Sequence, residues 1–350
     1  MTISPSAAES RSQLLTRLFP EGVPKLWCPG LTHYDREGRI DAERIAAHLQ
    51  HMSAHVKAFL IPGSTGDGWE LDDAETRQLL RLAIQHAGAL GLHLLIGALK
   101  PDPDSGLKMF WDTVDWLESR MEDNTLNSLA KARVSGFVIC SPRGKDVSQD
   151  DMERWFETIL KAGIPTALYQ LPQVTQNEIS PELASRMATR FNNFIMFKDS
   201  SGADGVASSG KDLGGVFTVR GAEGDYARWL KSAGGNYDGF LLSTANCLAR
   251  EFRHMITDLE KGRIEAANAM SDRLTKTVSA VFELVSPFPD GNAFANANKA
   301  IDHFFAYGPK AAAVPPPRLH AGSSLPTEMI VETGKILQRY DLMPDKGYFV

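Results

Sequence analysis

The sequence predicts a (β/α)8 barrel, an α/β TIM-type fold, with a C-terminal helical extension, and three observations carry that expectation. At 350 residues, with 43 % hydrophobic and 23 % charged, the chain holds ample apolar material for one large core. Eight short apolar runs, roughly 25–28, 58–62, 93–98, 136–140, 165–170, 194–198, 215–221 and 239–243, alternate with longer amphipathic stretches. No GxGxxG turn follows any of these runs, which weighs against the open doubly wound sheet as the alternative.

Taken in order, residues 1–22 read as a polar N-terminal segment without the apolar stretch of a secretory signal. The barrel is expected over 23–246 and the extension over 247–350. Ile45, Leu49, Met52 and Val56 recur at helical spacing. Asp72 and Glu75 resemble a capping box ahead of Leu79, Leu80 and Leu82. The 100–135 region is long for one crossover and predicts an enlarged helix or insertion, in which Phe110, Trp111 and Trp116 read as core, with a subunit interface as the alternative. Ser180 before Pro181 marks a helix start leading into Leu183 and Met187. Beyond 246 the strand signal ends. Helices follow, with a proline-rich loop at 314–317 and a last helix near 327–340.

Composition bounds the partners. A formal charge of −6 offers no electrostatic case for nucleic acid or an anionic membrane. No window approaches the roughly 20 apolar residues of a membrane span. Cys28, Cys140 and Cys247 are few, odd in number and far apart, as expected of free thiols in a reducing cytoplasm. No CxxC pair, HExxH helix or EF-hand loop occurs, so a structural or catalytic metal is not expected.

In barrel enzymes the reacting groups come from C-terminal strand ends and the loops that follow. Ser64 and Thr65 follow the second run, Tyr169 ends the fifth and Lys198 the sixth. Glu223 and Asp225 follow the seventh, and Ser243 ends the eighth. A lysine drawn into a barrel loses hydration, which favours the neutral amine and makes it a nucleophile. The plainer alternative is a lysine whose ammonium pairs with Asp199 or reaches solvent. Tyr169 fits a proton relay, or else a core aromatic with one hydrogen bond. The glycine-rich GSTGDG run at 63–68 could form a small anion-binding nest, or only a turn.

These positions together resemble the dihydrodipicolinate synthase and N-acetylneuraminate lyase superfamily of pyruvate-type aldolases, over about residues 23–340. IPGSTGDGWEL (61–71) resembles the family's GTTGE loop, with Asp67 where glutamate is usual. ALYQLP (167–172) resembles its Y-N-x-P strand end, MFKDSSG (196–202) its lysine segment, and RGAEGDYARWL with GFLLSTAN its seventh and eighth strands. The resemblance implies a Schiff base between Lys198 and a 2-oxo acid, with the imine as its only electron sink. It implies Tyr169 and Thr65 as the proton relay, and Ser64, Gly66 and Gly221 as substrate contacts. It also implies a homo-oligomer, tetramer or dimer.

Departures narrow the activity. The family's T-P-Y-Y segment is CSPRGKD here, with Arg143 and Gly144 at the tyrosine positions. Val174 stands where dihydrodipicolinate synthases carry an arginine. Lysine biosynthesis is therefore not expected. Glu223, Asp225 and Ser243 lie near the polyol-reading positions of the N-acetylneuraminate lyases, which suggests a 2-oxo-3-deoxy sugar acid or related hydroxylated acid. Arg143 could instead meet a second carboxylate. The expected activity is a lyase, either aldolase or dehydratase. The alternative is a non-catalytic member that binds a 2-oxo acid in a sensor or structural role.

Overall fold

A computed structural model describes residues 9–349, so residues 1–8 of the polar N-terminal segment lie outside the described residues. All eight expected strands form: β1 (Leu26–Pro29), β2 (Ala58–Leu60), β3 (His93–Ala98), β4 (Val134–Cys140), β5 (Thr166–Gln170), β6 (Phe194–Asp199), β7 (Phe217–Arg220) and β8 (Gly239–Leu241). They close into a barrel in sequence order, β1 to β8. Most are buried along their whole length, which is why they read as unbroken apolar runs rather than alternating ones.

The chain divides into two compact units. One comprises the N-terminal residues up to Lys25, His93–Ala222 and Gly235–Leu241, and carries β3 to β8. Its parallel registers place Cys140 opposite Tyr169, and Tyr169 opposite Lys198. Its N-terminal helix, Arg11–Leu18, opens with a capping box from Ser10 to Gln13. Arg11 is buried there and donates to the carbonyls of Phe191 and Phe194, both at 2.8 Å. The long 100–135 crossover resolves into two helices, Pro103–Met121 and Thr125–Lys131. Phe110 is core as expected, whereas Trp111 is 38 % exposed. Ser180 caps the Pro181–Arg190 helix by accepting from Leu183 N.

The other unit comprises Leu26–Leu92, Glu223–Gly234 and Leu242 onward. It holds the helices Ala42–Met52, Asp73–Leu90, Ala245–Glu260, Ile264–Val285, Ala293–Tyr307 and Thr327–Arg339. The capping box of Asp72 and Glu75 forms as the sequence predicts. Val56 does not extend the helical stripe: the helix closes at Ser53, and Val56 is buried in the turn before β2. At the core of this unit Arg44 pairs with Asp302, with side chains 8 % and 1 % exposed. The Arg44 guanidinium lies over the rings of Tyr307, Tyr348 and Phe349, at 5.4, 4.9 and 5.1 Å. Tyr348 donates its hydroxyl to Asp302, while the Tyr348 and Phe349 amides bond the Phe305 and Ala306 carbonyls. His51 stacks on the Tyr348 ring at 4.4 Å and 11°.

Candidate active site

Side chains alternate in direction along β6, so Lys198 and Asp199 project to opposite sides. Lys198 is 3 % exposed, and its Nζ lies 3.8 Å from the centre of the Tyr169 ring on the neighbouring strand. Gly221 keeps the space beside it clear. A β-carbon at 221 would lie 2.1 Å from Ser200 Oγ and 3.0 Å from Lys198 Cε, so a larger residue would displace the serine hydroxyl and crowd the lysine. Burial pushes the Cys140 thiol up, against the opposing pull of the Lys198 charge, leaving a protonated, unreactive neighbour.

Asp199 is held in a buried network on the other side of the strand. It accepts from Ser201 N (2.9 Å), Ser201 Oγ (2.6 Å), Gln170 Nε2 (3.3 Å) and Tyr237 OH (3.2 Å). Tyr237 OH also reaches Asp204 at 2.7 Å, and Arg220 grips Asp204 through two nitrogens at 2.8 and 3.1 Å. Burial, reinforced by Asp199, pushes the Tyr237 phenol up, so it serves these carboxylates as a donor. The network fixes the turn that follows the lysine.

In the other unit, Ser64–Gly66 forms a short 3-10 turn after β2. Trp69 donates its indole N–H to Ser64 Oγ at 2.8 Å, which occupies a lone pair and leaves the serine O–H to donate elsewhere. Thr32 Oγ1 donates to the Gly66 carbonyl at 2.7 Å. Thr65 is buried, and its hydroxyl has no hydrogen bond to another side chain among the described residues.

Glu223 and Ser243 are brought together. The Glu223 carboxylate accepts from Ser243 Oγ (2.6 Å), Thr244 N (3.1 Å), Thr244 Oγ1 (2.7 Å) and Tyr226 OH (2.9 Å). Four donors use the accepting capacity of one carboxylate. Burial, then the charge of Glu223, pushes the Tyr226 phenol up and keeps it a donor. Ser243 lies two residues past β8 rather than at its end, because the chain turns after Leu241 toward this carboxylate. Asp225 is exposed and pairs with Arg228 at 3.0 Å.

Arg143 is exposed. The loop beneath it is pinned by Asn177, which donates to the carbonyls of Pro142 (2.7 Å) and Gly144 (2.9 Å). Gly144 has φ +149, in the region that favours glycine, so a tyrosine would not fit this backbone. Val174 is half-buried on the short Pro172–Thr175 helix and offers no charge. Among the described residues no cluster of three or more His, Cys, Asp or Glu could hold a metal ion. Among them, too, no helix is long and apolar enough to cross a membrane.

The fold is a closed eight-stranded barrel that buries a lysine against a tyrosine ring on the neighbouring strand. Residues 125–291 match the dihydrodipicolinate synthetase family. A 4-hydroxy-tetrahydrodipicolinate synthase of Hyphomonas neptunium is 26 % identical over 278 residues, covering 78 % of this chain and 86 % of its own length. One from Lactococcus lactis is 22 % identical over 274 residues, covering 77 % and 86 %. In fold, the chain is similar to YagE of E. coli, a prophage protein of the dihydrodipicolinic acid synthase family solved with pyruvate. The TM-score is 0.70 at 19 % identity, with 91 % of this chain and 99 % of that one covered. It is also similar to a 2-keto-3-deoxygluconate aldolase of Sulfolobus solved with D-KDPG, at TM-score 0.69 and 16 % identity over 91 % and 96 %. The chain is thus similar, over residues 125–291, to the dihydrodipicolinate synthetase family, and similar in fold to solved members of that family.

Sequence reasoning missed three neighbours of the candidate residues. Trp69 lies only five residues from Ser64, and a donor-only side chain that close was a usable signal. Tyr226 and Tyr237 reach their carboxylates across turns that leave no local pattern.

Proposed function

We propose that the chain is a class I lyase in which Lys198 condenses with the oxo group of a 2-oxo acid. The amine adds to the oxo carbon, and the carbinolamine loses water to give the imine, whose nitrogen draws electrons from the neighbouring bond to be broken. Tyr169 moves the protons, with the Thr65 hydroxyl assisting. Ser64, Thr65 and Gly66 seat the substrate carboxylate, and Gly221 leaves room for the adduct. The observation that carries this reading is Lys198 itself, 3 % exposed, 3.8 Å above the Tyr169 ring and cleared by Gly221.

The substrate proposed is a hydroxylated 2-oxo acid of the 2-oxo-3-deoxy sugar acid type. With its proton given to Glu223, Ser243 presents lone pairs to a substrate hydroxyl, so Ser243 is the reader and Glu223 the group that orients it. Exposed Arg143 is free in space to meet a distal anionic or bulky group. The names of the curated relatives favour a second reading, 4-hydroxy-tetrahydrodipicolinate synthesis. Val174 and Gly144 supply neither an arginine nor a tyrosine for it, which supports the first. Family members are commonly oligomeric and cytoplasmic, and the reading extends both properties to this chain.

The test is borohydride trapping with pyruvate, read by intact mass, with Lys198→Ala beside it. The reduced pyruvate adduct is expected on the wild type and absent from the variant. No adduct with pyruvate or any other 2-oxo acid would remove the imine mechanism and favour a binding role. Product assays then divide the readings. Pyruvate released from a deoxy sugar acid indicates aldol cleavage, a semialdehyde without pyruvate indicates dehydration, and consumption of pyruvate with aspartate semialdehyde indicates synthesis.

A further inference from the structure

The Ala293–Tyr307 helix holds the 64–67 turn at two points. Asn292, its N-cap residue, accepts from Ala295 N at 2.8 Å and donates Nδ2–H to the Ser64 carbonyl at 3.3 Å. Two helical turns on, about 10 Å along the axis, Lys299 donates its Nζ to Asp67 Oδ2 at 3.0 Å. The same oxygen accepts from Tyr34 OH at 3.0 Å, and Lys299 Nζ lies 4.6 Å from the Tyr34 ring centre. The ion pair is closed off from water, with side chains 1 % and 5 % exposed. Burial, then the Asp67 charge, pushes the Tyr34 phenol up, so the tyrosine also stays a donor.

Asp67 sits at φ 60, a left-handed conformation that an aspartate keeps when its surroundings impose it. A buried ion pair is a poor source of stability, since apolar residues of equal volume commonly do as well. What it supplies is a fixed geometry. A rigid helix bonded to both ends of a short turn leaves Ser64, Thr65 and Gly66 little freedom.

We propose that Lys299 is a positioning residue for recognition of the substrate carboxylate, acting through Asp67 to hold the Ser64–Gly66 turn in its binding geometry. The inference rests on the reading of that turn as the carboxylate seat. It makes the C-terminal helix a specificity element: loss of Lys299 weakens selection for carboxylate-bearing ketones more than imine formation in general.

The test compares borohydride trapping of pyruvate with that of acetone, which lacks the carboxylate, by intact mass over a concentration series. Lys299→Met is expected to lower the pyruvate-to-acetone labelling ratio on the order of tenfold or more, with Lys299→Arg recovering part of it. A ratio unchanged in Lys299→Met overturns the proposal, even where total labelling falls. Should that variant not fold, Lys299→Met with Asp67→Asn removes both charges and leaves no buried ion unpaired. The same fall is expected there, and an unchanged ratio again overturns the proposal. Wild type labelled by neither ketone defeats the Lys198 reading and this inference with it. Wild type that shows no preference for pyruvate over acetone defeats the carboxylate seat alone.

Discussion

Of the buried cations that rest on aromatic faces, Arg44 and Lys198 stand in contrasting settings, one a staple and the other, on the proposed reading, a reacting amine. Arg44 lies against three rings and is bonded to Asp302 and to Tyr348 OH. Lys198 lies over one ring, beside a glycine whose missing side chain reserves space. The residue types match these uses. A guanidinium stays charged under any condition the fold survives, which suits a permanent staple, whereas an amine can release its proton and become a nucleophile. If Lys198 reacts as proposed, enclosure alone does not mark a reacting group, whereas reserved space and a side chain able to change protonation state do.

The sharpest way to break this contrast is to separate the ring of Tyr169 from its hydroxyl. Tyr169→Phe keeps the aromatic face under Lys198, so trapped imine is expected to persist while turnover falls by about 10²–10⁴-fold. Equal turnover would show that the tyrosine contributes only its face. On the staple side, Asp302→Asn leaves Arg44 buried without its counter-charge. A loss of about 3–5 kcal/mol in urea unfolding is expected, with pyruvate trapping unimpaired in the folded fraction. A stable Asp302→Asn protein would remove the distinction between the two sites.

Glu223 offers an intermediate case. With four donors around it, Glu223→Gln sets an amide N–H₂ against groups that are themselves donors, and about 1–3 kcal/mol of stability should be lost. A raised KM for a deoxy sugar acid at unchanged stability would instead make Glu223 a direct substrate reader. The smallest effect concerns pH. Burial, aided by the charge of His48, depresses the His51 imidazole from 6.5 to about 4, so the folded state holds it neutral. Its stabilising contribution is complete above 6.5, declines as the pH falls toward 4, and is gone below that value. The melting temperature should drop across this window, and less steeply in His51→Asn. Identical pH profiles would show that His51 contributes nothing to the decline.

Much of the architecture was legible because its signals are local. Strands covered on both faces give unbroken apolar runs, and all eight formed. Asp72 with Glu75, and Ser180 with Pro181, closed the caps their spacing predicts. Val56 misled because its apolar side chain is buried by the turn after the helix, and burial keeps no record of which element provides it. In the site, Lys198 and Tyr169 could be paired from strand-end position alone, since adjacent parallel strands put them in register. Glu223 read as a candidate for substrate hydroxyls, and its internal donors were not legible because Tyr226 and Thr244 carry no recognisable pattern. Lys299 lies 232 residues from Asp67 and could not have been linked to it by spacing.

The Arg44 staple also has a consequence in time. Tyr348 reaches a carboxylate that left the ribosome 46 residues earlier, and an arginine that left it 304 residues earlier. Until residues 347–349 emerge, Asp302 and Arg44 lack the phenol and the two aromatic faces that complete their enclosure. The unit that contains them therefore cannot reach its final packing before residues 347–349 are available to it.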